Sequence, residues 1–413
     1  MDQAILVGIN INQNNLYIQS ALDELEALAL AAHIQTKDKI VQHAKTISSK
    51  YYIGSGKVLE IKKIIEILDV DMVIFDDTLS PSQLSNLEEA FDVQVIDRSF
   101  LILSIFAERA QTKQAMLEVA LAQKLYMLPR LKGIGKSLSR QGGGTFNAKG
   151  PGETKLELDQ RKILNEISQI KKQLSKIEKE QMIASQKRNK AHIPVVALVG
   201  YTNAGKSSLM NQLTAYVGQT QEKVFEKDML FATLDTKARR IQKQNMPPFI
   251  LIDTVGFIQK LPQELLRSFQ TTLKDVLNAD LLLHVVDSTS DYIKDIEVTK
   301  SILSAINAND IERLLILTKK DLAYKPMTQI NDYIHVSNKT TENYDILLQS
   351  IYGHLYKDNR LYQLVIPFNK GEIYHDLKTT TTIIDTIYHD DGIYIKAVLS
   401  PQMLIKYKSY IIS

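Results

Sequence analysis

The 413-residue chain contains no cysteine, which excludes disulfides, cysteine-ligated zinc and thiol catalysis together and fits a reducing cytoplasm. Glycine (17) and proline (10) are scarce, so the composition is not that of a collagen-like or Pro/Gly-rich disordered chain. Long hydrophobic runs are missing too: stretches such as FLILSIFA and ADLLLHVVD fall far short of the ~20 residues a membrane span needs. The start MDQAILVGIN has no basic segment leading into an apolar run. A soluble cytoplasmic protein is expected. The net charge of only +3 does not announce a nucleic-acid binder, so any such role must come from where the charges cluster. What remains is an ordinary globular composition, 44% apolar and 23% charged, long enough for roughly two to four domains.

One stretch organises the rest. VVALVGYTNAGKSSL, residues 195–209, is an apolar run, a glycine turn and the start of a helical pattern, which together predict a phosphate-binding loop between a buried parallel strand and a helix. The spacing Gly200-x-x-x-x-Gly205-Lys206-Ser207 sets the N–H groups of Gly200, Tyr201, Thr202, Asn203, Ala204 and Gly205 around a β-phosphate. Lys206 then lies across the β- and γ-phosphates and the Ser207 hydroxyl on Mg²⁺, with Ser208 beside it.

Later elements decide which nucleotide. PPFILIDTVGF ends a strand in Asp253-x-x-Gly256, a carboxylate for Mg²⁺ followed by a glycine whose N–H senses the γ-phosphate. Between the two lies LFATLDT, where Phe231 flanks the nucleotide and Thr233 is the switch candidate whose hydroxyl completes the Mg²⁺ shell, with Thr236 as rival. The catalytic set is therefore Lys206, Thr233 and Gly256, and the metal set Ser207, Thr233 and Asp253. LLILTKKD places Thr318, Lys319 and Asp321 after an apolar strand: the carboxylate accepts from guanine N1 and N2 while the Lys319 stem covers the ring. Asn is usual where Thr318 stands, and the Ser-Ala-Lys expected downstream reads Ser337-Asn338-Lys339. Phe257 occupies the position of the water-orienting glutamine of many GTPases, so intrinsic hydrolysis is expected to be slow. Asn203 stands where potassium-stimulated GTPases hold K⁺, or else braces the loop locally.

Around this centre, residues 1–98 alternate strands and helices, predicting a small parallel α/β domain. Gly54, Gly56 and Lys57 open a helix there and resemble a phosphate site only superficially. From Ser99 the helical spacing runs unbroken to Pro129, and from Lys155 Leu156, Ile163, Ile170 and Ile177 recur every seven residues, so 99–193 is expected to be an antiparallel helical hairpin. Its connection, 130–152, is read as a glycine-rich loop with Arg130, Lys132, Lys136, Arg140 and Lys149, suited either to RNA phosphates or to a solvated linker. Residues 194–357 form the nucleotide domain. A strand, helix and two strands with a turn at Asp390-Asp391-Gly392 predict a small α+β domain over 358–413.

The segments YYIGSGKVLEIKK, DRSFLILSIFAERAQTKQAMLEVALAQKLYMLPRL, LSRQGGGTFNAKGPGETKLELDQRKI, GYTNAGKSSLMNQL, LFATLDTKARRI, DTVGFIQKLPQELLRSFQTTL and ADLLLHVVD together resemble the HflX family of ribosome-associated GTPases over essentially the whole length. The resemblance implies an N-terminal α/β domain, a helical hairpin, a Ras-like domain and a small C-terminal domain. It also implies a GTP-dependent factor that binds the large ribosomal subunit and separates stalled or idle ribosomes; a monomer that uses Mg²⁺ and acts under stress is expected. Thr318, Asn338 and the TFNAKGPGE version of the glycine loop depart from the family pattern. The rivals are a GTPase partner in tRNA modification or ribosome assembly and a regulator of a membrane protease, peripheral to the membrane; a secondary use of ATP stays open.

Overall fold

A computed structural model of the chain describes residues 2–11, 15–141, 151–190, 193–218, 237–244, 246–260, 275–322 and 332–412. The chain groups into two compact units, one mainly Met1–Ile177 with Lys260, the other mainly the chain from Glu178 onward.

In the first unit β1 (Asp2–Asn10), α1 (Asn15–Ala31), β2 (Ile34–His43), α2 (Ser55–Leu68), β3 (Met72–Phe75), α3 (Pro81–Phe91) and β4 (Gln94–Asp97) build a wholly parallel sheet in the order β2-β1-β3-β4. Continuous burial of Ala4 to Asn10 explains why the central strand reads as an apolar run. Helix α3 starts where its chemistry dictates: Pro81 follows Ser80, whose hydroxyl accepts from Gln83 N while the Gln83 amide oxygen accepts from Ser80 N. Strand β2 was not expected. It is a polar edge strand, IQTKDKIVQH, with only Ile34 and Ile40 buried.

Two expectations for the hairpin are corrected. The helix expected from Ser99 is two helices, α4 (Arg98–Arg109) and α5 (Lys113–Gln141), because Ala110 is extended and the Thr112 side chain accepts from Ala115 N at 3.2 Å, capping a new helix. Nor does Pro129 end it; α5 continues to Gln141 and α6 (Pro151–Lys190) follows. Residues 130–141, expected in the loop, are thus helical, since glycine costs a helix about 1 kcal/mol without forbidding it.

Arg130 is not a free loop cation. Its guanidinium donates to Asp97 Oδ2 at 3.0 Å, to Leu79 O at 3.2 Å and to Tyr126 O at 2.7 Å, and lies over the Tyr126 ring. Residues 142–150, with Lys149, lie outside the described residues. Leu121 packs with Ile167, Ile170 and Leu174, and Lys124 pairs with Glu166, so the two helices run back along one another.

In the second unit β5 (Val195–Val199), α7 (Lys206–Tyr216), β6 (Lys237–Ile241), β7 (Phe249–Asp253), β8 (Leu281–Asp287), α8 (Tyr292–Ala305), β9 (Arg313–Thr318), β10 (Ile334–His335) and α9 (Tyr344–Leu355) form a six-stranded sheet, β10-β9-β8-β5-β7-β6. Only β6 is antiparallel. Its core joins Leu198, Leu209, Leu213, Leu283 and Ile351 among others, all fully buried. The parallel strands all point their carboxyl ends one way, and there α/β sheets place their sites.

A separate antiparallel sheet, β11-β13-β12, follows from β11 (Arg360–Ile366), β12 (Thr382–His389) and β13 (Gly392–Leu399), with α10 (Gly371–Thr380) and a closing α11 (Pro401–Tyr407). The strand, helix, strand, strand order matches the expectation, and α11 is the element it lacked.

Candidate functional site

Gly200 leaves the carboxyl end of β5 at φ +147°, and a Cβ there would fall 2.1 Å from Val285 O on β8, so the turn admits no side chain. The loop closes at Gly205, φ +86°, the residue from which α7 departs. Asn203, exposed, also has positive φ. Across the loop, Thr202 N donates to Phe257 O at 2.8 Å and Phe257 N to Gly200 O at 3.0 Å. This continues the pairing of β5 and β7 past the strands. Gly256 makes that approach feasible: a Cβ on it would sit 2.7 Å from Thr202 Cα and 3.0 Å from Lys206 Nζ. The residue after the expected γ-phosphate sensor, Phe257, is thereby stitched by main-chain bonds to the phosphate loop. Tyr201 adds a side-chain link, its hydroxyl accepting from Gln259 N at 3.1 Å.

Lys206 opens α7 and is buried at its first turn. Its Nζ donates to Gly200 O at 3.1 Å and Tyr201 O at 2.7 Å. Burial brings its ammonium down to about 8, against the pull of Asp253 and Asp295 that favours the charge. Next to it the Ser207 hydroxyl donates to Asp253 Oδ2 at 2.6 Å, and Asp253 is wholly buried at the end of β7. A hydroxyl and a buried carboxylate in contact are hard oxygen donors of the kind Mg²⁺ selects. Among the described residues no group of three or more His, Cys, Asp or Glu is placed to hold a metal. Phe231, Thr233 and the rival Thr236 lie outside the described residues. Ser208 follows in α7, half-buried.

The base loop lies at the carboxyl end of β9. Thr318 is fully buried, its hydroxyl 2.8 Å from Ala204 O and 3.2 Å from Val286 O. Lys319 adopts φ +60° and pairs with Asp287 at 2.6 Å. Asp287, which ends β8, was missed; its only signal was its place at the end of ADLLLHVVD. Asp321 is exposed, and the Ser337 hydroxyl that donates to it at 2.8 Å holds its carboxyl below the usual range. Ser337 Oγ in turn accepts from Lys339 N and Thr340 N. Asn338 Nδ2 donates to Gly205 O at 3.1 Å, and the Tyr344 hydroxyl donates to Asn338 Oδ1 at 3.0 Å.

Three stretches match known families: residues 19–107 the GTP-binding GTPase N-terminal family, 109–188 the GTP-binding GTPase middle region, and 195–319 the 50S ribosome-binding GTPase family. The chain is 41% identical to GTPase HflX of Caldanaerobacter subterraneus subsp. tengcongensis, covering 100% of this chain and 94% of that protein. To GTPase HflX of Escherichia coli it is 41% identical, over 78% of this chain and 74% of the relative. The solved structure of SsGBP with GDP is 26% identical, covers 85% of this chain and 98% of that one, and has a TM-score of 0.46.

Proposed function

The chain belongs to the HflX family of GTPases, and from that premise we propose that it is a GTP-driven switch that binds the large ribosomal subunit and separates stalled or idle ribosomes. The observation that carries the nucleotide part is the convergence on one sheet end of a glycine-bounded phosphate loop, buried Lys206, the Ser207–Asp253 contact and the Ser337-held Asp321. The ribosome part is supported by the match of residues 195–319 to a 50S ribosome-binding GTPase family.

Phosphoryl transfer needs positioning and charge neutralisation rather than covalent chemistry. Lys206 places its charge at the β- and γ-phosphates, the loop N–H groups hold the β-phosphate, and Gly256 N–H reports on the γ-phosphate. Ser207 and Asp253, with Thr233 as the switch ligand, would hold Mg²⁺, which when bound would supply charge neutralisation at the phosphate oxygens. Phe257, 3% exposed and tied by its main chain to Gly200 and Thr202, has no group to orient the attacking water. Intrinsic turnover is accordingly slow and the ribosome accelerates it.

Domains at 1–98, 99–193, 194–357 and 358–413 divide the labour. The hairpin reaches into ribosomal RNA through Lys132, Lys136, Arg140 and Lys149, without Arg130. The test is sedimentation of the full chain with ribosomal subunits and a non-hydrolysable GTP analogue across a salt series. Co-migration with large subunits that weakens steeply with salt is expected. Migration with tRNA in the free fractions, or with membranes, overturns the proposal in favour of its rivals.

A further inference from the structure

The two departures in the base loop, Thr318 and Asn338, meet at one place. A hydroxyl carries one hydrogen, and that of Thr318 is buried between the carbonyls of Ala204 and Val286. Its one hydrogen is committed to those carbonyls and is not available to a base. An amide carries two hydrogens. That of Asn338 gives one to Gly205 O, its oxygen is held by the Tyr344 hydroxyl, and Tyr344 is itself fully buried. The amide is thereby fixed in orientation, and the residue is only half-buried, so among the described residues its second hydrogen is committed to neither of these two partners.

On the reading of Asp321 as the guanine acceptor, Asn338 follows directly after Ser337, the residue that holds Asp321. Guanine offers Asp321 its N1 and N2 donors. Its remaining acceptors are O6 and N7, and N7 lies on the imidazole ring that carries the ribose, the side nearest the phosphate loop to which Asn338 is bonded.

We infer that Asn338 both braces the phosphate loop and donates its second amide hydrogen to guanine N7, a task Thr318 cannot perform. Tightness of the bound nucleotide then rests on residue 338.

The inference depends on the guanine assignment, and the test separates the two. Dissociation rates of GDP and 7-deaza-GDP, which lacks the N7 acceptor, are measured by stopped flow from the full wild-type chain and from Asn338→Ala. Wild type is expected to release 7-deaza-GDP about fivefold faster than GDP, the worth of one hydrogen bond, a comparison that needs no variant to fold. Asn338→Ala is expected to release GDP about tenfold faster than wild type and to release both ligands at one rate. An absent penalty in wild type, or an equal penalty in the variant, overturns the N7 contact. Asp321→Asn serves as control: a shift of preference toward XDP upholds the guanine assignment even where the Asn338 result fails, and no shift removes the assignment and the inference together.

Discussion

The sheets of the first unit and of the nucleotide domain both gather charge at the carboxyl ends of their parallel strands, and Arg98 and Lys206 use it in opposite ways. In the first unit Arg98, 1% exposed, pairs with Asp76 at 2.9 Å and Glu24 at 2.6 Å, and Lys260 also pairs with Asp76 and Asp77. Asp97, fully buried, accepts from Leu79 N, Phe100 N, Tyr126 Oη and Arg130 at 2.8–3.0 Å. Arg98 and Arg130 there meet carboxylates at the ends of β3 and β4, so their charges lock helices to the sheet. In the second unit the hydrogen bonds of Lys206 go to two carbonyls of its own loop, and burial lowers the ammonium. A cation held by dipoles and depressed by burial is one whose charge is kept for an anionic ligand. In the first unit partnered charge builds structure, whereas at the phosphate loop the charge of Lys206 is left to dipoles.

The largest effect that could break this comparison is on stability. Arg98→Met leaves buried Asp76 with Lys260 as its remaining cation and takes from half-buried Glu24 its ion pair with Arg98, and should cost about 3 kcal/mol, read as a lower midpoint in urea. An unchanged midpoint would mean the triad is idle.

Next comes Lys206→Met, which should cut GTP hydrolysis about a hundredfold or more while the nucleotide-free protein stays folded. The pH dependence has a definite sign. The folded ammonium is depressed to about 8 from an ordinary 10.5, so below pH 8 the nucleotide-free fold carries the full burden of a buried cation. That burden is relieved as pH rises from about 8 toward 10.5, and stability contributed by this group rises across that window. Phosphate binding requires the charged form, so GDP affinity should fall as pH is raised from 8 to 9, and calorimetry should find the decline missing in Lys206→Met.

A smaller effect is expected at the arm. Serine at Lys132, Lys136, Arg140 and Lys149 should weaken ribosome association and lower the slope of its salt dependence by up to about four phosphate contacts, leaving GTP affinity of the free protein unchanged. Wild-type sedimentation by that variant would place the RNA contacts elsewhere. Smallest is the cation effect at Asn203: hydrolysis in KCl is expected to exceed that in NaCl by a few-fold, and Asn203→Ala to abolish the difference. Equal rates in both salts would remove K⁺ from the account.

Legibility followed the range of the interactions. The phosphate loop lies within fifteen consecutive residues, and strand, turn and helix all follow from local pattern, so it could be read directly. Asp321 was legible as a residue type, but its support by Ser337 and the brace from Asn338 to Gly205, 133 residues away, join distant segments that no local spacing encodes. Strand β2 was hidden because an edge strand buries little and so loses the apolar signal. The break at Ala110 was hidden because apolar periodicity runs through it while the capping hydroxyl of Thr112 decides. Arg130 misled most: beside glycines and lysines it reads as a loop cation, yet its partner Asp97 lies 33 residues upstream.

The contrast between the two sheet ends is tested most directly by one thermal-unfolding experiment on wild type, Lys206→Met and Arg98→Met, each with and without saturating GDP and Mg²⁺. Lys206→Met should keep or raise the nucleotide-free midpoint and lose the GDP-induced rise, whereas Arg98→Met should lower the nucleotide-free midpoint of its unit and keep the GDP-induced rise of the other. A full GDP response in Lys206→Met, or a lost response in Arg98→Met with its nucleotide-free midpoint unchanged, would contradict the account.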